Sequence, residues 1–122
     1  MPNWCENKVM ISAKKEEDMK FFKDKAFKKD KDGAEVFQFN NLIPRPEEEE
    51  DWYNWNRNNW GTKWDVEAMT DEEDVTWMKL EFDTAWGPPH EIYLHMYKNF
   101  PNLSISWFFH EPGMQLAGYL ND

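Results

Sequence analysis

The sequence contains a single cysteine, only five glycines and no long apolar run. With Cys5 alone, an internal disulfide bond is excluded, which fits a reducing compartment. No apolar stretch approaches the roughly 20 residues needed to cross a bilayer. The N-terminal segment also lacks the basic and apolar regions of a signal peptide. We therefore expect a cytoplasmic protein that does not enter a membrane.

Basic residues are also scarce. The 122 residues include 14 basic and 24 acidic side chains, which gives a formal net charge of -10. The imbalance lies in residues 31–122, where six basic residues face eighteen acids, whereas residues 1–30 hold eight lysines and six acids. Such a charge repels a phosphate backbone, so direct nucleic-acid binding is not expected. An acidic surface can keep a protein soluble, bind a basic protein or imitate DNA.

Alternation of apolar and polar side chains predicts several strands, because successive residues of a strand face opposite sides of a sheet. Val9 and Ile11 share one face of the first strand, and Met78 and Leu80 share one face of a later strand. The predicted strands lie over residues 7–12, 36–39, 65–69, 75–83, 103–109 and 115–119, with the acidic residues 70–74 as a hairpin turn.

Apolar residues at three- and four-residue spacing predict two longer helices. The first begins at Glu16, where acids suit the helix dipole, and ends at Gly33. The second starts at Gly87-Pro88-Pro89, since proline is tolerated at the first helical position, and ends at Pro101. The acidic run 47–51 is expected to be the solvated start of a short helix through Trp52 and Trp55. The second long helix has a predicted buried stripe of Ile92, Tyr93, Met96, Tyr97 and Phe100.

The order of these elements is the split βαβ pattern. We therefore predict an α+β fold: a ferredoxin-like antiparallel sheet with two helices on one face and a C-terminal extra strand. An aromatic-rich insertion is expected over about 44–64. One domain should cover 1–122, because no linker or composition change divides the chain.

Five turn-rich segments follow one another in a distinctive order along the chain. They are Trp4-Cys5-Glu6-Asn7, residues 42–46 (Leu-Ile-Pro-Arg-Pro), residues 59–65 (Asn-Trp-Gly-Thr-Lys-Trp-Asp), residues 82–89 (Phe-Asp-Thr-Ala-Trp-Gly-Pro-Pro), and residues 111–113 with 117–118. This pattern resembles the YubB family, a ferredoxin-like domain of plasmid and phage proteins. The resemblance implies the fold and a mobile-element origin, where small proteins often modify host defence or replication. It implies no catalytic residue.

The usual catalytic and metal-binding patterns are missing. Cys5 has no sequence neighbour that would lower its pKa, so a buried structural cysteine is expected. His90 and His95 are five residues apart and do not share a helical face. His110 adds one ligand without a cysteine pair. We therefore expect no catalytic residue, no metal and no cofactor.

Three acids lie inside the distinctive segments, namely Asp65, Asp83 and Glu111. A hydrolase could use two of them as a general acid and base if they met in space. Capping of loop amides by Asp65 and Asp83 is the simpler expectation.

Eight tryptophans exceed what a core of this size requires. Several lie in loops beside isolated cations, and aromatic faces with sparse cations suit a small anionic ring compound. Gly61 and Gly87 would let backbone approach closely. The alternative is that these tryptophans only pack the insertion onto the sheet. The candidate ligand-binding residues are Arg45, Trp60, Lys63, Trp64, Asp65 and Trp86.

We therefore expect a non-catalytic phage or plasmid accessory protein that binds a small nucleotide-like ligand and so counters host defence. The first alternative is an acidic inhibitor or DNA mimic that acts on a host protein through residues 47–51 and 71–74. The second alternative is an uncharacterised hydrolase. A C-terminal edge strand could pair with a second copy, but the sequence does not define the oligomeric state.

Overall fold

The computed structural model describes residues 3–121, so the predicted domain bounds at 1 and 122 lie outside it. Its centre is a five-stranded antiparallel sheet with the strand order β4-β5-β1-β6-β7. The strands of this sheet are β1 (Trp4–Ala13), β4 (Thr70–Asp74), β5 (Trp77–Ala85), β6 (Leu103–Glu111) and β7 (Leu116–Tyr119).

Two helices cover one face of the sheet. They are α1 (Glu16–Ala26) and α4 (His90–Asn99). With β1, β4, β5 and β6 they form the βαββαβ order of a ferredoxin-like fold, and β7 is the extra strand. The predicted fold class is therefore confirmed.

The core lies between the sheet and these helices. Val9 and Ile11 on β1 are buried together with Met78 and Leu80 on β5, as the alternation predicted. Residues of β1 between them, such as Met10, face the open side of the sheet and are exposed. One prediction for α4 is wrong: Tyr97 is half exposed, because it lies outside the face that carries Ile92, Tyr93 and Met96.

The segment over residues 27–69 separates α1 from β4. It contains a two-stranded sheet of β2 (Phe27–Lys29) and β3 (Glu35–Phe37), followed by α2 (Phe39–Leu42) and α3 (Trp52–Asn59). The predicted extension of α1 to Gly33 is wrong. The helix ends at Ala26 because Phe27 enters β2 and pairs with Phe37, which buries both rings. The predicted strand over 36–39 is likewise shifted, since Phe39 begins α2.

The hairpin before α4 differs in register from the prediction. Its first arm is the acidic segment Thr70–Asp74, which was expected to be the turn, and residues 75–76 form the turn instead. The acids of β4 remain hydrated because this strand lies at the edge of the sheet, while its backbone pairs with β5. The predicted strand over 65–69 is therefore wrong, apart from a single bridge between Ala68 and Phe37.

Gly61 holds the segment over residues 27–69 against the start of α4. A Cβ atom at this position would lie 2.9 Å from the His90 nitrogen, and the φ angle is 83°. Only glycine fits both conditions, so the close backbone approach at Gly61 is to the start of α4. At Gly87 a Cβ atom would meet nothing within 4 Å.

Within residues 3–121, the helices are too short or too polar to span a membrane.

Candidate functional site

A cleft of about 710 Å³ opens beside α2 and α3. We call it the tryptophan cleft because Trp52, Trp60 and Trp64 line it. Its other lining residues are Gln38, Asn40, Arg45, Pro46, Glu47, Glu49, Asn56 and Asp65. Four of the six predicted ligand-binding residues therefore meet in one place: Arg45, Trp60, Trp64 and Asp65.

Arg45 is held in the cleft by Asn56. Its Nη1 donates a hydrogen bond to Asn56 Oδ1 at 2.8 Å, and its guanidinium lies 5.8 Å from the centre of the Trp60 ring. The buried Asn56 in turn donates from Nδ2 to the Lys63 carbonyl oxygen at 2.7 Å. The Arg45 backbone nitrogen donates to Asn40 Oδ1 at 2.8 Å, whereas within the described residues the Arg45 guanidinium donates only to Asn56. The guanidinium therefore keeps further N–H donors for a ligand.

Asp65 orders the first turn of α2. Its Oδ1 accepts hydrogen bonds from the Phe39 nitrogen at 2.6 Å and the Val66 nitrogen at 2.7 Å, and its Oδ2 accepts one from the Asn40 nitrogen at 3.1 Å. Burial raises the pKa of this carboxyl, although the three N–H donors and Arg45 act in the opposite direction. The expectation that Asp65 caps amides is confirmed.

Trp60 forms the floor of the cleft and also packs the core. Its side chain is 2% exposed, and its Nε1 donates to the Ile43 carbonyl oxygen at 2.9 Å. The ring meets the edge of Trp55 at a centroid distance of 5.4 Å. Trp60 therefore packs the core and also borders the cleft.

Trp64 is 39% exposed, and both Trp4 and Lys63 contact its ring. The Trp4 ring stacks on it at a centroid distance of 5.8 Å, and Lys63 Nζ lies 4.4 Å from its centroid. Lys63 also lies 5.7 Å from the Tyr53 ring centre. Lys63 is thus next to the cleft rather than among its lining residues, and contacts with two aromatic rings hold its ammonium group in place.

Two tryptophans differ from the prediction in their relation to the cleft. Trp86 is 58% exposed and is not among the residues that line it. Trp52, which the sequence analysis did not select, is 42% exposed and does line it. It begins α3 directly after the N-cap Asp51, and this position gives no local signal of a cleft residue.

The charges of the cleft are mixed. Arg45 is the one cation among the lining residues, with Lys63 beside it, whereas Glu47, Glu49 and Asp65 supply three acids. A ligand with many negative charges would be repelled, whereas a ligand with one or two could be held by Arg45.

The three candidate hydrolytic acids do not share one site. Asp65 and Asp83 both line a second, smaller cleft of about 500 Å³, but Glu111 lines neither. Asp83 is exposed and makes no hydrogen bond to an amide within residues 3–121, so its predicted capping role is wrong. Glu111 is buried, and its Oε1 has no hydrogen-bond partner in the described part of the chain.

Cys5 is a buried structural thiol, as expected. It is fully buried on the inner face of β1, and burial followed by the charge of Glu111 raises its pKa to about 11. A thiol in this state is protonated at neutral pH and is a poor nucleophile. Among the described residues, no three His, Cys, Asp or Glu side chains form a group that could hold a metal ion.

Comparison with protein families gives one match. Residues 59–121 match the family described as "Ferredoxin-like domain in Api92-like protein", which covers slightly more than half of the chain. The matched part includes Trp60, Trp64 and Asp65 of the cleft, whereas Arg45 precedes it. Comparisons with curated proteins and with solved structures gave no match.

Proposed function

The chain belongs to the family of ferredoxin-like domains in Api92-like proteins, and the description of this family states a fold and no reaction. We therefore propose a function that is based on the chemistry of the tryptophan cleft. The protein is a non-catalytic binding protein that holds a small nucleotide-like ligand there. One observation carries this proposal: Arg45 is positioned by Asn56 in the same cleft as the half-exposed ring of Trp52.

Each part of such a ligand has a matching group. The exposed ring of Trp52 offers a flat surface for a base, while the faces of Trp64 are already in contact with Trp4 and Lys63. The Asn40 amide nitrogen and the Gln38 amide oxygen can bond the polar edge of a base, whereas Asn40 Oδ1 accepts from the Arg45 backbone nitrogen and Gln38 Nε2 donates to Glu67 Oε1. Arg45 supplies charge-assisted hydrogen bonds to an anionic group.

The acids of the cleft limit the charge of the ligand. Glu47 and Glu49 line it together with the single arginine, so a nucleoside monophosphate or a cyclic nucleotide suits it better than a triphosphate. This ligand class fits the sequestration of a small signalling molecule.

The biological setting is the finer part of the proposal. The five segments that resemble the YubB family support a plasmid or phage origin, and a cytoplasmic accessory protein that counters host defence fits a small binding domain without a catalytic site. Expression of the wild-type chain and of an Arg45→Met variant in a host challenged by phage would test this role. We expect the wild type alone to change host survival, and equal effects of both chains would contradict the role.

Titration calorimetry with nucleosides, monophosphates, cyclic dinucleotides and triphosphates tests the ligand. Arg45→Met should weaken monophosphate binding by about tenfold or more, with little effect on the nucleoside, because a hydrogen bond to a charge is lost. Trp52→Ala should weaken both by about tenfold, since base stacking is lost. The Lys63→Ala, Trp64→Ala double variant should also bind less tightly.

The matched control is Trp86→Ala, which removes an exposed tryptophan that does not line the cleft. It should bind every ligand as the wild type does. Unchanged affinity in Arg45→Met and Trp52→Ala, or the absence of any ligand in the panel, would contradict the proposal.

A second candidate function is inhibition of a basic host protein. Two acidic segments favour it: residues 47–51, which precede α3, and the edge strand β4, where Asp71, Glu72, Glu73 and Asp74 are exposed. Such binding should weaken between low and high salt, because exposed charges are screened over about 8–10 Å at physiological ionic strength. Salt-independent binding of the captured host protein would exclude this mode.

A further inference from the structure

The strand β7 lies at the edge of the sheet, and its segment carries no charged side chain. Residues 115–120 contain no charged side chain, although the whole chain carries a net charge of -10. Leu116 and Tyr119 are 53% and 64% exposed. Among residues 3–121, β6 is the only strand that pairs with β7. Natural edge strands usually carry charges, prolines or bulges, or are very short, which prevents pairing with another chain; β7 is only four residues long but has no charge, proline or bulge.

The direction of the backbone groups of β7 follows from one hydrogen bond. The Leu120 nitrogen donates to the Trp107 oxygen of β6 at 2.9 Å. Backbone groups alternate in direction along a strand, so those of Gly118 also face β6. The N–H and C=O groups of Ala117 and Tyr119 therefore point away from the sheet, and they can bond another strand.

We propose that β7 pairs in antiparallel fashion with β7 of a second copy of this chain, which joins two five-stranded sheets into one of ten. With Gly118 opposite its equivalent, Ala117 lies opposite Tyr119 of the second copy, and the two pairs exchange four backbone hydrogen bonds. In the same register Leu116 lies opposite Leu120 of the second copy, so apolar side chains meet on the helix-covered face.

The uncharged edge of β7 favours a second copy of this chain as its partner. A two-fold axis places each residue near its own equivalents, so a charged edge would repel itself. The opposite edge, β4, carries four acids and a register irregularity between Thr70 and Glu72, which prevents such pairing. The absence of charge makes β7 complementary to itself in a strongly acidic chain.

Sedimentation velocity of the full chain over about 1 µM to 1 mM tests this dimer. Ala117→Pro removes an outward N–H and leaves the bonds to β6 intact, so the dissociation constant should rise about tenfold or more. Ala117→Thr keeps the N–H and is the matched control, for which the dimer should persist. If the proline variant does not fold, Tyr119→Lys introduces like charges near the axis and should weaken the dimer.

The effect of salt on dimer stability distinguishes the β7 contact from an interface formed by the acidic segments. Two chains of charge -10 repel each other, so added salt should strengthen the β7 dimer. A wild-type chain that stays monomeric throughout, an unchanged dimer in the folded Ala117→Pro or Tyr119→Lys variant, or a dimer that weakens with salt would overturn the proposal.

Discussion

The sheet and the segment over residues 27–69 share one apolar core, to which the segment contributes Phe37 and Phe39, but they differ in where polar side chains shape a loop or cleft. The inner face of the sheet is mainly apolar, with residues such as Ile11 and Met78 fully buried. In the segment, polar side chains bond distant backbone groups: Asp65 accepts from the Phe39 nitrogen, and Trp60 donates to the Ile43 oxygen. Apolar burial therefore determines the fold, whereas a few directed hydrogen bonds determine the shape of the tryptophan cleft.

This difference teaches where stability and function can be separated. A cavity in the apolar core should destabilise the whole domain, since core packing is shared by all its elements. The loss of one hydrogen bond around the cleft should instead displace Arg45 and change ligand binding more than it changes the fold.

The largest expected effect is that of a core truncation in the sheet. Met78→Ala removes a fully buried side chain and should lower the free energy of unfolding by about 2–5 kcal/mol. Met10→Ala, on the open face of the neighbouring strand, is the matched control and should cost less than about 1 kcal/mol. Urea unfolding of both variants measures the difference, and equal losses would contradict the assignment of the two faces.

The Asn56→Ala variant should alter the tryptophan cleft and leave the apolar core unchanged. It removes the acceptor of Arg45 and the donor to the Lys63 oxygen, at a cost of about 1–3 kcal/mol for the groups left without partners. Monophosphate affinity should fall with it, because Arg45 loses its anchor. Asn58→Ala, at an exposed position of the same helix, should change neither quantity. Retained affinity in a folded Asn56→Ala variant would show that Arg45 needs no anchor.

Cys5 makes the sheet sensitive to alkaline pH. Its folded pKa of about 11 exceeds the ordinary value of 9.0, so the unfolded thiol ionises first. The stabilisation is fully present below pH 9 and is lost as pH rises through 11. Between pH 8 and pH 10 the free energy of unfolding should fall by about 1.4 kcal/mol more in the wild type than in Cys5→Ala. Parallel stability profiles of the two proteins would contradict a buried thiol.

The smallest effect concerns the ion pair that links α1 to β4. Lys23 Nζ lies 2.6 Å from Glu73 Oε2, and this hydrogen bond lowers the pKa of Glu73 below its usual 4.5. The stabilisation is present above that value and is lost as pH falls through the folded pKa. Both groups are partly exposed, so a double-mutant cycle should give about 0.2–1 kcal/mol at neutral pH. The fully solvated pair Lys15–Glu17, at 3.9 Å, is the control and should give a smaller coupling.

The sheet was largely predictable from the sequence. The alternation at Val9 and Ile11 and at Met78 and Leu80 identifies buried faces, because burial on one side of a strand leaves a period of two. The stripe of α4 was predictable from its three- and four-residue spacing, except for Tyr97. The acidic strand β4 was missed because an edge strand buries little and leaves no apolar signal.

Part of the cleft was predictable from the sequence, but its geometry was not. Tryptophans beside isolated cations indicated Arg45, Trp60 and Trp64, which do meet. No local pattern could show that Asn56 would hold Arg45, since the bond joins residues eleven positions apart. Trp52 was missed because nothing in its own segment distinguishes a cleft wall from an exposed helix start.

Thermal unfolding of the wild-type chain and of Arg45→Met against one nucleotide library tests the central claim most directly. A ligand at one hundred times its dissociation constant stabilises the folded state by about 2.7 kcal/mol, which should raise the midpoint of this domain by several degrees. We predict such a shift with a monophosphate or cyclic nucleotide in the wild type and its loss in Arg45→Met. No shift with any ligand, or the same shift in both proteins, would contradict a ligand site at Arg45.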